Sequence, residues 1–459
     1  MASAAPIASA LEPSRAPGRP RASAGVASDR CISDSRPPLS EEATLALSER
    51  LGEAPALGAF RLAGLHQYLE APLPERSSHR WRYTDPRSLL PPRIDLPQEL
   101  RPAPRALELP NAAVVVRLDS GAQPSIHLSK QAEIVGVDAR SLSDPDADSD
   151  GLGTAVSPER GLFEALNAAA WSSGVVIRVP RGCALLEPIH VMVPVSSRLS
   201  VPRVLVALGD GADATVIERH VGGAPGQQVV GVTELFGGRG SELRYVLSQE
   251  WSPGVRGHLT SRLELQREAR ALTVLHSFGG EQLKLDLGAK LVGEGAHSEI
   301  VGFALAGSGQ HLDHRTEHRH RAPHTWSNID LKLVLAEQAR TAATGLIRIE
   351  EEAAQSEAYQ ELRNLLLSPD CRADAIPELE IMTNEVQCSH GATSSPVDAE
   401  HLFYLRSRGI PPADALRMVV RGFFETAIAR LPAAMAESVA RSVNERLARV
   451  DLAGPQEGS

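Results

Sequence analysis

Gly209-Asp-Gly-Ala-Asp-Ala-Thr-Val-Ile217 is followed by Gly238-Arg-Gly-Ser-Glu-Leu-Arg-Tyr-Val246, and then by Arg267-Glu-Ala-Arg-Ala-Leu-Thr-Val-Leu275. The first two stretches open on glycine turns, and all three pass a small or polar residue and end in β-formers. The third position of this small/polar–any–apolar step falls at Ala214, Leu243, Leu272, Ile300, Ile329 and Ala358, at intervals of 28 or 29 residues. Upstream of the steps stand turn residues such as Gly211, Gly237, Gly240, Gly293 and Gly295. Self-similarity at a fixed period of about 20–50 residues marks a solenoid. Units built of strands rather than helices stack as a β-helix, whose long open edges occur only at its ends and sides. The chain is therefore expected to be mainly β, with a β-helix core over residues 173–396.

Upstream of the repeat, Ser157-Pro158 reads as a cap and first helical position, with Leu162, Phe163 and Leu166 as the apolar face. Gly174-Val-Val-Ile-Arg-Val-Pro180 then opens the β-rich region. From Ser40 to Leu69 the pattern is helical, with Leu45, Leu51, Leu62, Leu65 and Leu69 among its apolar positions. Trp81 and Tyr83 read as packing residues of this N-terminal, mainly helical domain, placed at 39–172. Residues 1–38 are rich in Ala, Ser, Pro and Arg and are expected to be a disordered tail. Their composition also resembles an organelle transit peptide, against which Glu12 and Asp29 speak. Beyond the repeat, Leu416, Val420, Phe423, Ala427 and Leu431 form one amphipathic stripe, and Met435, Val439, Val443 and Leu447 a second. These define a C-terminal helical domain at 397–452, a cap for the last coil, before a disordered end at 453–459.

The formal net charge of −10 over 459 residues argues against a nucleic-acid or anionic-membrane surface. Cys31, Cys183, Cys371 and Cys388 show no CxxC spacing, so a reducing compartment is expected. With no apolar run near the ~18 residues of a membrane span and no secretory signal, the expected location is cytoplasmic, or plastid if the tail is a transit peptide. No Gly-x-x-x-x-Gly-Lys-Ser/Thr loop occurs, so the chain itself is expected neither to bind a nucleotide nor to hydrolyse ATP. Aromatics at 4% argue against a carbohydrate-active β-helix enzyme, which relies on aromatic platforms and clustered carboxylates.

Two places could carry chemistry. In Pro377–Arg408, an alternating strand with Leu379 and Ile381 leads to Cys388 and His390, two residues apart and so on one side of extended chain. A helix signal follows, with Asp398 as N-cap and Gly409 as its stop. Thiolate and imidazole together suit zinc, copper or iron; otherwise the cysteine is a small buried hydrophobe and the histidine a hydrogen-bonded structural residue. The second place is His311, His314, His318, His320 and His324, five imidazoles within fourteen residues. It reads either as a metal site or as a polar β-helix face, and the interleaved Arg315, Arg319 and Arg321 favour the latter.

The Pro377–Arg408 block resembles the SufB/SufD family, the scaffold proteins of the Suf iron–sulfur cluster assembly system. Its Cys388-Ser-His-Gly-Ala-Thr393 run, followed by Phe403-Tyr-Leu-Arg-Ser-Arg-Gly-Ile410, is similar to the SufD branch. Trp81-Arg-Tyr-Thr84, Phe163–Asn167 and Pro323-His-Thr-Trp-Ser327 match further family stretches. The resemblance implies a right-handed parallel β-helix flanked by helical domains, and a non-enzymatic role in a complex with a SufB-like paralogue and the ABC-type ATPase SufC. It implies a transient Fe–S cluster at the subunit interface, with His390 as a ligand and Cys388 in the same motif. It also implies SufC docking on the C-terminal helical domain, for which Leu416, Val420, Phe423, Phe424 and Ala427 are the candidate contacts. The scaffold cysteine of SufB-like paralogues has no counterpart here; Arg363 stands at or near its place, so the partner would supply that thiol. A homodimeric scaffold acting without SufB is the alternative.

Overall fold

A computed structural model of the chain describes residues 36–104, 109, 111–307 and 309–449. The expected tails at 1–38 and 453–459 lie almost wholly outside the described residues, and Cys31 with them.

Helices α1 (Glu41–Leu51) and α2 (Pro55–Glu70) come first. Ser40 caps α1 with a bond from the Ala43 N–H, and Pro55 starts α2. Then come β1 (Val114–Arg117), β2 (Ser125–Leu128), α3 (Lys130–Ile134), β3 (Asp138–Ser141) and α4 (Leu162–Ala170). Ser157-Pro158 begins a single 3₁₀ turn, and α4 starts separately at Leu162. The solenoid proper runs through β4 (Ser173–Val179), β5 (Ile189–Pro194), the short β6 (Leu199–Ser200), β7 (Pro202–Leu208), β8 (Asp213–Gly222) and β9 (Gln228–Gly237). It continues through β10 (Glu242–Trp251), β11 (Arg256–Leu265), β12 (Arg270–Ser277), β13 (Gln282–Leu291), β14 (His297–Ala306) and β15 (His311–His320). It ends with β16 (Trp326–Leu335), β17 (Arg340–Ile349), β18 (Ser356–Leu366), β19 (Arg372–Ile381) and β20 (Val386–Pro396). Helices α5 (Ala399–Ser407), α6 (Pro412–Ile428) and α7 (Ala433–Arg449) follow.

The chain is mainly β, and its core is a parallel β-solenoid with helices at both termini. Two ten-stranded sheets form it. Sheet I runs β2-β1-β5-β8-β10-β12-β14-β16-β18-β20; sheet II runs from β3 and β4 to β17 and β19, with β6 beside β9. Successive strands fall alternately in the two sheets, so each coil gives one strand to each, and every second residue of each strand points into the shared interior. The interior is filled by aliphatic side chains such as Val216, Leu243, Leu283 and Ile347, each 0% exposed.

The register differs from the evenly spaced one expected from sequence. Residues in ladder positions are Ala214, Leu243, Ala271, Ser298, Ser327, Ala358 and Cys388. Coil length thus varies from 27 to 31 residues. Leu272 lies one place off this ladder, faces outward and is only half-buried, while Ile300 and Ile329 face inward two places further along. The invariant feature is the corner. Gly182, Gly211, Gly240, Glu268, Gly295, His324 and Gln355 each precede a ladder position by three and have φ between 57° and 72°. The N–H of each donates to a carbonyl of the next coil, at 2.6–3.3 Å. Glycine adopts this left-handed conformation freely, and histidine more readily than most side chains. At Gly293 the constraint is contact: a Cβ there would lie 1.9 Å from the Arg267 nitrogen of the preceding corner.

Residues 39–172 are less purely helical than expected, because β1, β2 and β3 belong to the sheets. β2 lies antiparallel on β1 and β3 antiparallel on β4, with Ala132 of α3 buried in the same core. These strands close the N-terminal end of the solenoid. α1, α2 and α4, with Trp81 and Leu89, cover the outer face of sheet II through Val176, Leu205 and Val230. Between them lies a buried polar layer: Arg203–Glu234 at 2.6 Å, Arg262–Asp286 at 2.5 Å and Lys284–Asp313 at 2.8 Å. On the other side, α6 and α7 cover the outer face of sheet I. No helix among the described residues is long and apolar enough to cross a membrane.

Candidate cluster-assembly site

At the C-terminal end nothing among the described residues pairs with the outer edges of β19 and β20. The two edges differ in chemistry. β19 alternates Leu379 and Ile381 with Glu378 and Glu380 and carries Pro377, which has no N–H to donate. β20 has no acidic residue, lysine or arginine, and no proline before Pro396. Charges and proline blunt an edge strand, whereas a long neutral one invites pairing.

Cys388 and His390 sit on this neutral edge. Cys388 stacks on Ala358 and His390 on Gln360, both buried interior residues of β18. The two side chains therefore share the face that continues the solenoid interior, as their spacing led one to expect. Cys388 is half-buried against the core, and burial pushes its thiol pKa up. His390 is exposed. Beneath His390, Gln360 donates from Nε2 to the Gly345 carbonyl at 3.1 Å, while its buried Oε1 has no partner. Sequence reading missed Gln360, which only the register places behind the histidine. Among the described residues no three His, Cys, Asp or Glu side chains converge as a metal site. Cys388 and His390 thus amount to two donors, half of a usual four-donor set for an iron–sulfur unit, at a surface where a second molecule could supply the others.

The histidine-rich strand is placed otherwise. His314, His318 and His320 on β15 point into the interior and bond to Ser277 (2.9 Å), Ser298 (3.0 Å) and Ser327 (2.8 Å). Burial lowers the pKa of His314 and His320 to about 4 and holds that of His318 well below the ordinary histidine value. His311 faces outward and bonds to Thr84 at 2.9 Å, and His324 is the corner residue of its coil. His314, His318 and His320 are neutral, hydrogen-bonded structural imidazoles. Arg363 lies beside Glu361 on β18 and pairs across the sheet with Thr393.

The candidate docking residues need correction. Leu416, Val420, Phe424 and Ala427 are buried, at 5%, 0%, 0% and 0% exposure, against Val301, Phe303, Val334 and Leu365 of sheet I. The apolar stripe of α6 is consumed by the chain's own solenoid, so these four cannot face a partner while the helix is seated. Phe423 is half-buried and lines a groove of about 550 Å³ between α5 and α6, with Leu365, Tyr404, Leu405, Met418 and Val419. Phe403, Tyr404 and Met418 are 74%, 58% and 46% exposed. Phe403 and Tyr404 belong to α5, which buries none of its residues, and Met418 to the outer side of α6.

The family described as SUF system FeS cluster assembly, SufBD core domain, matches residues 191–423. The chain belongs to the SufBD family. The SufBD match extends from β5 to α6 and so includes Cys388, His390 and the groove residue Phe423. An iron–sulfur cluster assembly SufBD family protein of Mycobacterium tuberculosis is 30% identical over 273 residues, covering 57% of this chain and 68% of the relative. The iron–sulfur cluster assembly protein SufB of Bacillus subtilis is 29% identical over 281 residues, 60% of each chain. A SufBD family protein of Staphylococcus saprophyticus is 28% identical over 283 residues, 61% of each.

Proposed function

We propose that the chain is a SufD-type scaffold subunit, on whose open solenoid end an iron–sulfur cluster is assembled together with a SufB-like paralogue. The observation that carries this reading is the asymmetry of the two ends. One is closed by antiparallel strands; the other presents a neutral edge with a thiol and an imidazole directed along the interior. A paralogue pairing along β20 would bring its own thiolates to Cys388 and His390. Neutral His390 would offer a ring nitrogen to iron, and Cys388 would bind after losing its proton, which iron binding promotes. Iron and sulfide are the cargo here, and the chain's part is to hold them. β18, which carries Arg363, has no cysteine, so the sulfur-receiving thiol falls to the partner.

The ATPase SufC would dock on the exposed α5–α6 groove through Tyr404, Met418 and Phe423 and on the neighbouring exposed ring of Phe403, leaving the buried stripe in place. Its nucleotide cycle would shift the population of open and closed interfaces. The test is co-expression with the SufB-like and ATPase subunits of the same genome, followed by iron and acid-labile sulfide determination. His390→Ala should assemble normally and lose most of its cluster. Cys388→Ser should lose less, because one thiol among several is more readily replaced. Wild-type cluster content in His390→Ala would refute the assignment.

A further inference from the structure

The outer face of sheet I holds a buried ammonium that neither the cluster site nor the docking groove employs. Lys332 on β16 is 1% exposed. Its Nζ donates to the main-chain oxygen of Phe423 at 3.0 Å and to Thr426 Oγ1 at 2.6 Å, both on α6. It also stands 4.9 Å from the centroid of the Phe423 ring. Burial lowers its pKa from the usual lysine value, in keeping with an amine removed from water. Hydrogen bonds from a charged donor are stronger and more directional than apolar contacts. The apolar seat of α6 permits small slides; a desolvated ammonium on a helix carbonyl resists them, because a slide would strand a buried charge.

Phe423 is shared between this contact and the groove. Its carbonyl and ring hold Lys332, and its side chain lines the α5–α6 surface. Across sheet I, Lys332 pairs with Arg363 of β18, and Arg363 with Thr393 of β20. The edge strand carrying Cys388 and His390 is thus two rungs away. β20 also leads directly into α5, with the Val397 N–H bonded to the Leu366 carbonyl at 3.2 Å.

We propose that Lys332 is a positioning residue that couples occupation of the α5–α6 groove to the pairing edge β20. A partner seated against Phe423 shifts α6; Lys332 makes β16 follow, and the adjoining rungs carry the shift to Cys388 and His390. This rests on the reading that an ATPase subunit occupies the groove.

The experiment measures amide hydrogen exchange over residues 386–396 in the full-length chain, alone and bound to the co-expressed ATPase subunit. Affinity and thermal stability are recorded in parallel. The variants are Lys332→Met, which keeps length and removes charge; Lys332→Arg, which keeps charge and donors; and Thr426→Val, which removes one acceptor from an exposed helix position. Coupling energies between sites commonly correspond to factors of about 5–150, so the wild-type exchange rate at β20 should change roughly fivefold or more on binding. In Lys332→Met the change should fall below about twofold at unaltered affinity, with Thr426→Val intermediate and Lys332→Arg restoring it. Full retention of the change in Lys332→Met or, should that variant not fold, in Thr426→Val overturns the coupling role. Loss in both Lys332→Met and Lys332→Arg, in proportion to lost stability, also overturns it by marking the residue as structural. Failure of the wild-type chain to bind the ATPase refutes the docking reading instead.

Discussion

The two faces of the C-terminal helices can be separated by substitution, and the expected magnitudes are far apart. Phe424 is fully buried and meets Phe303 edge-to-face, with centroids 5.7 Å apart and an interplanar angle of 76°. Phe424→Ala removes a buried aromatic ring, which costs about 3–5 kcal/mol, of which about 0.5–1.5 kcal/mol belongs to the aromatic pair. The loss should appear as early, separate melting of the α6–α7 layer, because the solenoid interior is a distinct core. Phe403→Ala and Tyr404→Ala alter exposed side chains, and such surface changes stay within about 0.5 kcal/mol. If these two rings anchor the ATPase, each truncation should weaken binding by about 2 kcal/mol, or about 30-fold in Kd. Far-UV circular dichroism against temperature reads the first effect, and isothermal titration with the ATPase subunit the second. The reasoning fails if Phe403→Ala and Tyr404→Ala both bind with wild-type affinity, or if Phe424→Ala melts like the wild type.

Three further outcomes are expected. Leu243→Ala should cost about 3–5 kcal/mol by leaving an interior cavity, whereas Leu272→Ala, half-buried on the outer face, should cost clearly less; equal losses by urea unfolding would contradict the register. Burial holds His276, His314 and His320 near pKa 4 in the folded state, against 6.5 when unfolded. Their stability contribution is complete above pH 6.5 and is lost as pH falls toward 4, by on the order of 2 kcal/mol each at pH 5; a midpoint of denaturation flat between pH 7 and 5 would exclude this. His318→Ala removes the bond to Ser298 and should lower thermal stability while leaving iron per folded complex unchanged, the reverse of His390→Ala.

Much of this protein is legible in the order of its residues, where the determinants are local. The repeat, the small/polar–any–apolar step and the run from Cys388 to Thr393 are short-range patterns, because extended strands alternate and tight corners admit few conformations. Such patterns identify a β-solenoid and a thiol–imidazole pair on one face. They cannot count coil lengths, which vary from 27 to 31 residues because corners absorb insertions without changing the ladder. Hence Leu272 reads as interior yet lies outside, next to the true ladder residue Ala271. The same limit applies to α6. An amphipathic helix declares that one face will be buried, but its periodicity is identical whether the cover is a partner or the chain's own sheet. Only the docking of Leu416, Val420 and Phe424 onto Val301, Phe303 and Val334 decides that, and leaves Phe403, Tyr404 and Met418 as the free surface. Tertiary structure likewise decides that His390 stands at an open end while His318 is sealed inside. Both are histidines on β-strands, and what separates them is the presence of another coil above one and, among the described residues, of none above the other.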